Sequence, residues 1–345
     1  MPYSFVPGQS VPLFAEEYLR QVKAGGHPLH LRHLGLTFYG LNDCLYFGDH
    51  NGQILLPPQG TDLRYIFRES CNYPASECTL ETRLQTCLLA ASDPLEIDEA
   101  AALNTPGMRN LWHWMTEGLP KLLALESIGY TGRYIVPETP VVLSFMEMLS
   151  IAPERLLPRG GSYRVKRLLL PQRLSGFDLV EYMPLVEMTR GRLLDAVGRL
   201  DGEKRVYVRR VGRRKPVNEE DVLAVLEDFG FAAMVPEDFS VPEQLRYMTN
   251  ASCSVMAHGA NAALTLMQPP RSAVVEFFSN RYVSYNNLHA VRLLRLRYHP
   301  LVEDLDVSSA PAEGMALSEF LWSGLHMDMA VDTRHLRVLL ESILE

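Results

Sequence analysis

The stretch SCSVMAHGAN at residues 252–261, followed by AVVEFF at residues 273–278, decides the fold. Each stretch contains a run of small and apolar residues with the length of a strand, and the first passes through a His-Gly turn into an apolar helical segment. Similar strand patterns precede them, KRVYVRR at residues 204–210 and FAAMV at residues 231–235. Short strands alternating with helices predict parallel βαβ units, so we expect a doubly wound α/β domain in the C-terminal half.

Helix start signals separate these strands. Asn218 stands where an N-cap is expected, and Ser240 with Glu243 has the spacing of a capping box. The pattern predicts helices over residues 222–229, 244–248, 284–294 and 333–344, and a mobile loop over residues 306–314.

The N-terminal half has weaker signals. Residues 34–39 and 53–56 are predicted as short strands, with Asn51-Gly52 as a hairpin turn. A helix is expected from about residue 107, kinked or split at Pro120, because proline has no N–H group to donate. We place the domain boundary between residues 190 and 191, giving domains 1–190 and 191–345, with a C-terminal helix able to pack back on the first.

Composition excludes several classes of protein. A chain of 345 residues with 47% hydrophobic residues suggests two globular domains, and its net charge of −8 provides no general footprint for nucleic acid. The five cysteines form no CxxC pair, so a zinc site lacks its usual ligand spacing. Neither a signal peptide nor an integral membrane segment is apparent, which predicts a cytoplasmic protein, with peripheral contact at the inner face of the membrane still open.

The turn after residue 257 is the strongest candidate binding feature. Ligands of open α/β sheets bind at the carboxyl ends of strands, and His258, Gly259 and Ala260 there combine a hydrogen-bond donor with backbone N–H groups that an anion can approach. Glu276, near the end of the next strand, is expected at the same edge, where acidic residues bind ribose. The alternative is a βα turn in which the histidine only caps a helix.

Five basic residues occur within seven positions, at Arg209, Arg210 and residues 213–215. Arginine suits bidentate phosphate contacts. We expect the first two arginines, at a strand end, to contact phosphate, whereas residues 213–215 are equally compatible with a solvated loop.

A third candidate lies in the N-terminal half. Asn110, His113 and Glu117 share one face of the predicted helix beside Trp114. His113 and Glu117 can hydrogen-bond at this spacing and serve as a proton acceptor, with the choice between them open. A satisfied polar cluster is the alternative. The pair Asp304 and Asp306 matches a short metal-nucleotide pattern that arises easily by chance.

Three blocks in order resemble glycosyltransferase family 61. The segment 255–276, with His258-Gly259-Ala260 and a strand ending in Glu276, looks like the family's signature block. Tyr207-Val208-Arg209-Arg210 is similar to its preceding strand, and Asn110-x-x-His113-Trp114-x-x-Glu117-x-x-Pro120 to its N-terminal element; Tyr298 also fits. Asn261-Ala262-Ala263-Leu264 departs from the Gly-Leu-Thr-Asn run of many members, so donor identity cannot be carried over.

The resemblance implies a GT-B-like fold of two Rossmann-like domains facing a central cleft. It implies an inverting, metal-independent glycosyltransferase that moves a sugar from a nucleotide-sugar donor to a glycan or glycolipid hydroxyl, without a cofactor. The N-terminal domain would bind the acceptor and the C-terminal domain the donor. The implied site residues are Glu117 and His113 for catalysis, Asn110 and Trp114 on the acceptor side, and Arg209, Arg210, His258, Gly259, Ala260, Asn261 and Glu276 for the donor. The alternatives are a non-catalytic sugar- or nucleotide-binding protein of this fold and a nucleotide-sugar epimerase or hydrolase.

Overall fold

The computed structural model describes residues 30–33, 36–49, 52–56, 93–103, 109–171, 174, 182–284, 287, 291–292, 294–303 and 327–345. The chain divides into two compact units, residues 1–174 and 175–345. Both are α/β units built on sheets rich in parallel pairs. The division falls before residue 190, so the helix Met183–Val197 lies wholly in the second unit.

The first unit contains a seven-stranded mixed sheet. Its strands are β1 (His30–His33), β2 (Leu36–Asp49), β3 (Gly52–Leu56), β4 (Leu95–Ala102), β5 (Arg133–Val136), β6 (Leu156–Pro158) and β7 (Ser162–Pro171). The order is β1-β2-β7-β4-β5-β6, with β3 paired to β2. Strands β7, β4, β5 and β6 are parallel, whereas β1, β2 and β3 form an antiparallel extension at one edge.

The predicted pairing of these strands is present. Gly52 pairs with Asp49 and is the first residue of β3, whereas Asn51 of the predicted turn lies outside the described residues. Strand β2 also has 14 residues and is not the short strand expected over residues 34–39. Its length is explained by pairing on both sides, with β7 along most of its course and with β1 and β3 on the other edge.

Helix α1 runs through residues 111–127 and changes its hydrogen-bond pattern before Pro120. Its α-helical parts, Leu111–His113 and Leu119–Ser127, flank a π-helical turn, Trp114–Gly118, in which the Leu119 N–H donates to the carbonyl of Trp114. A wider turn removes the clash between a proline ring and the preceding carbonyl. The predicted interruption is therefore confirmed, as a π-helical turn. Helix α2 (Pro140–Met148) follows in the same unit.

The second unit contains a five-stranded sheet in which every pair is parallel. Its strands are β8 (Lys204–Val208), β9 (Phe231–Met234), β10 (Ala251–Ala257), β11 (Ala273–Phe278) and β12 (Arg297–Val302), in the order β12-β11-β10-β8-β9. Counted within the unit this is 2-1-3-4-5, a doubly wound order that reverses between β8 and β10. The doubly wound α/β prediction is confirmed.

Helices of the second unit pack on both faces of this sheet. Its helices are α3 (Met183–Val197), α4 (Glu219–Asp228), α5 (Val241–Tyr247) and α6 (Thr333–Leu344). Helices α4 and α6 pack together over a core that includes Tyr207, Val255 and Phe277. Helices α3 and α5 pack together with the 3₁₀ helix Ala260–Met267.

The predicted caps have different outcomes. The capping box is confirmed, because Glu243 Oε2 accepts hydrogen bonds from the Ser240 backbone N–H at 2.8 Å and its hydroxyl at 2.6 Å. Asn218 precedes α4 but forms no side-chain cap. Its amide instead donates to the Val331 carbonyl at 2.9 Å and accepts from the Val331 N–H at 3.0 Å, because the segment before α6 passes beside it.

Some predictions fall outside the described residues: the loop 306–314, the pair Asp304 and Asp306, and most of the helix predicted over residues 284–294. Cys44 and Cys253 are free and buried, and burial raises the pKa of both thiols to about 12. Within the described part of the chain, no helix combines the length and the apolar character that crossing a membrane requires.

Helix α6 provides a test of this fold. Asp332 Oδ1 accepts hydrogen bonds from the N–H groups of Arg334 at 2.9 Å and His335 at 3.1 Å. We expect Asp332→Ala to lower the free energy of unfolding by about 0.5–2 kcal/mol, because the first turn of α6 loses its cap. Urea unfolding measures this, and Asp332→Asn should retain most of the stability because asparagine also caps. Asp195→Ala, an exposed position within α3, is the control; an equal loss there would contradict the capping role.

Candidate functional site

The carboxyl ends of β8 and β10 meet where the strand order reverses. Arg209 and Arg210 follow β8, and His258 and Gly259 follow β10. Arg210 Nη1 donates to the His258 carbonyl at 3.4 Å, so the structure brings the two predicted elements together. This edge is where open α/β sheets bind their ligands.

Gly259 is required here by the space beside it. A Cβ atom at this position would overlap the Arg210 guanidinium, which passes directly over the backbone. Ala260 and Asn261 follow, half-exposed, in the first turn of the helix Ala260–Met267, whose first N–H groups lack intrahelical acceptors. The segment is a 3₁₀ helix, in which the Ala262 N–H donates to the Gly259 carbonyl at 3.0 Å. Gly259, Ala260 and Asn261 therefore line the same turn as His258.

His258 is held by a buried carboxylate. Its Nδ1 lies 2.6 Å from Glu276 Oε1, and its ring stacks on Phe278 with 4.9 Å between centroids. The ring of Tyr282 lies at 5.4 Å on a tilt. Only 6% of His258 is exposed, so these contacts fix both the position and the plane of the imidazole.

Glu276 is enclosed completely. Its exposed fraction is 0%, and besides His258 it accepts hydrogen bonds from the Asn287 side-chain amide and from the Tyr298 hydroxyl at 2.7 Å. Burial and the adjacent carboxylate raise the pKa of Tyr298 well above its usual value. Both oxygens are thus used inside the unit, where Glu276 lies behind His258; its contact with a ribose stays a prediction.

Arg209 is also engaged within the unit. Its guanidinium forms a bidentate pair with Glu219, at 3.1 Å from Nε and 2.7 Å from Nη2, and the Tyr207 hydroxyl donates to the same carboxylate at 3.1 Å. The hydrogen bonds of Arg209 hold the pKa of Glu219 below its ordinary value. This pair connects the end of β8 to the first turn of α4. The charge of Arg209 is balanced by Glu219, whereas Arg210 has no such carboxylate partner in the described part of the chain.

The first unit holds a second histidine–glutamate pair. His113 Nδ1 lies 2.8 Å from Glu117 Oε1, as their spacing on the helix predicts. The side chain of Glu117 is 5% exposed and that of His113 is 34% exposed. The imidazole therefore faces outward, and the carboxylate lies behind it in the π-helical turn.

The other two predicted residues of this helix have structural contacts. Asn110 is exposed and caps α1, accepting a hydrogen bond from the Trp112 N–H at 2.8 Å. Trp114 is fully buried, so its ring packs inside the unit instead of lining a surface. Its indole N–H has no hydrogen-bond partner among the described residues. Of the four residues, His113 is the one that combines a partly exposed side chain with a nitrogen able to accept a proton.

Sequence reasoning did not find Phe278, Tyr282 and Asn287. They surround His258 and Glu276 through contacts between elements, and no local motif marks them. Tyr298 was noted only as part of the resemblance, whereas the structure gives it a defined hydrogen bond to Glu276.

The family model described as Glycosyltransferase 61 matches residues 111–275. The matched segment contains His113, Glu117, Arg210 and His258, and ends one residue before Glu276. A comparison with curated proteins finds no match for the chain. The match over residues 111–275, which includes the His113–Glu117 pair and His258, supports the assignment to glycosyltransferase family 61 that the resemblance predicted, and this family implies glycosyltransferase activity.

Proposed function

We propose that this protein is an inverting, metal-independent glycosyltransferase that moves a sugar from a nucleotide-sugar donor to a hydroxyl of a glycan or glycolipid. The family supports sugar transfer. The observation that carries the donor assignment is the meeting of Arg210 with the His258-Gly259 turn at the reversal of strand order. A guanidinium, an imidazole and helix N-terminal amides together form an arrangement suited to a diphosphate.

Arg210, His258 and the backbone amides of Ala260 and Asn261 would bind the phosphates of the donor. As the bond between the anomeric carbon and the phosphate oxygen breaks, its electron pair stays on the nucleoside diphosphate. Preorganised donors that meet this growing charge lower the barrier, a contribution that is usually the largest single one. Arg209 supports the strand end through Glu219, and Glu276 keeps His258 in place, so both are positioning residues in this proposal.

The partly exposed His113 imidazole would meet the acceptor. With Nδ1 directed to Glu117, Nε2 is the nitrogen available to an acceptor hydroxyl. His113 would take the hydroxyl proton while the acceptor oxygen attacks the anomeric carbon opposite the leaving phosphate, and the buried carboxylate would stabilise the imidazolium. A single in-line displacement inverts the anomeric carbon. The sequence left His113 and Glu117 equivalent as bases, and their unequal exposure favours His113 as the base and Glu117 as its positioning residue.

The expected GT-B arrangement belongs to this proposal. It is supported by the doubly wound sheet of the second unit and by the separation of the two histidine–glutamate pairs into different units. The glycan or glycolipid acceptor and a cytoplasmic site of action remain parts of the same proposal.

A ligand panel tests the donor class directly. Thermal unfolding is measured with UDP, GDP, CDP, ADP and CMP, with and without magnesium. A ligand at about 100 times its Kd stabilises by about 2.7 kcal/mol, which raises the midpoint by several degrees. We expect one nucleotide to respond without magnesium. A response that requires magnesium would contradict metal independence, and silence across the panel would contradict a nucleotide donor.

We expect His113→Ala to lower kcat by at least about 100-fold while nucleotide binding is retained, because the general base is lost. Glu117→Gln should lower kcat less, because glutamine can still hold the imidazole but no longer places a carboxylate beside it. Initial rates measure both effects. Glu147→Gln, an exposed glutamate of the same unit, is the control. Activity of His113→Ala within tenfold of the wild type would reject the assignment.

We expect His258→Ala to weaken binding of the nucleoside diphosphate by about tenfold or more, because the lost hydrogen bond is made to phosphate. Binding of the matching nucleoside should change very little. Calorimetric titration of both ligands measures the difference. His335→Ala, an exposed histidine of α6, is the matched control. Equal losses for the two ligands would show that His258 does not contact the phosphates.

A further inference from the structure

Arg214 has a strained backbone and an unsatisfied side chain. Its φ angle is 62°, in the left-handed region that non-glycine residues rarely adopt. Its Nε atom is buried and has no hydrogen-bond partner among the described residues. Strained residues with unmet donors occur preferentially where a ligand completes the site.

Arg214 belongs to the same edge of the sheet as the proposed donor site. The preceding residue, Arg213, accepts a hydrogen bond from Arg210 Nε at 2.6 Å through its carbonyl, so the Arg210 guanidinium lies against the peptide that leads into Arg214. Arg214 also interacts electrostatically with Tyr282, whose ring lies beside that of His258. Three loop segments, following β8, β10 and β11, therefore converge on these side chains.

The positive charge of the two arginines is not balanced locally. Burial and the neighbouring Arg214 lower the pKa of Arg210 to about 10, and Glu237 acts in the opposite direction. Burial likewise lowers the pKa of Arg214. In the described part of the chain, neither guanidinium forms an ion pair with a carboxylate, whereas Arg209 has Glu219 and His258 has Glu276. Two partly buried guanidiniums held together in this way favour a bound anion.

We propose that Arg214 is a second diphosphate-binding residue, which together with Arg210 binds the two phosphates of the donor and stabilises the charge on the departing nucleoside diphosphate. This inference rests on the proposed function for the identity of the ligand. It separates Arg214 from Arg213, whose side chain is exposed, although the sequence presents the two as equivalent neighbours.

The test uses inorganic pyrophosphate as the probe and the full chain throughout. Calorimetric titration compares the wild type with Arg214→Met, Arg214→Lys and the matched control Arg213→Met. We expect Arg214→Met to weaken the binding of pyrophosphate by about 10- to 100-fold, because a charge-assisted bidentate contact is lost. Arg214→Lys should be intermediate, since lysine keeps the charge without the planar fork, and Arg213→Met should resemble the wild type.

The thermal unfolding midpoint without ligand distinguishes a loss of binding from a loss of folding. Arg214→Met should unfold at the wild-type midpoint or above it, because a like charge beside Arg210 has been removed. A lower midpoint, or a pyrophosphate Kd within twofold of the wild type, would overturn the inference. Absence of pyrophosphate binding by the wild type would overturn it as well.

The outcomes for the two proposals are separable. If Arg214→Met binds pyrophosphate normally while the wild type transfers sugar, the role of Arg214 is wrong and the proposed function stands. If Arg214 is needed for pyrophosphate but the wild type turns over no nucleotide sugar, the anion site stands and the proposed function fails.

Discussion

The buried carboxylate of Glu276 is the constraint on which the second unit's site depends. A fully enclosed carboxyl group is tolerated only where hydrogen-bond partners meet it, and His258, Asn287 and Tyr298 do so from three different segments. The same contacts that satisfy the carboxyl group fix the imidazole plane. Because the imidazole follows directly after β10, the turn and the helix behind it are fixed in relation to the sheet.

The arginines around this turn have different partners, and their roles differ accordingly. Arg209 is neutralised by Glu219 and stabilises the strand end, whereas Arg210 crosses Gly259 and donates only to carbonyl oxygens in the described part of the chain. A guanidinium bound to neutral carbonyls keeps its full charge for a ligand. The need for Gly259 follows from this crossing, because any side chain there would displace the guanidinium.

Each unit pairs a histidine with a glutamate, yet the environments differ. His258 is enclosed between Phe278 and Tyr282, which suits a fixed donor to phosphate, while His113 remains about one-third exposed above a buried Glu117. Exposure on one side and a carboxylate on the other is the arrangement expected of a group that exchanges protons with a substrate. The π-helical turn before Pro120 contributes, because it contains Glu117 and joins the two α-helical parts.

The sequence by itself determined the elements and their local chemistry. Strand periodicity gave β8 to β11 within a few residues, the capping box at Ser240 was correct, and the spacing of His113 and Glu117 predicted their hydrogen bond, because each depends on neighbours within a few positions. Only the tertiary structure decided which charges are compensated. The enclosure of Glu276, the burial of Trp114 and the burial of the Arg214 Nε atom depend on segments that are distant in the chain. A side chain's type indicates what it can bind, whereas its partners across the fold determine whether that capacity is already used.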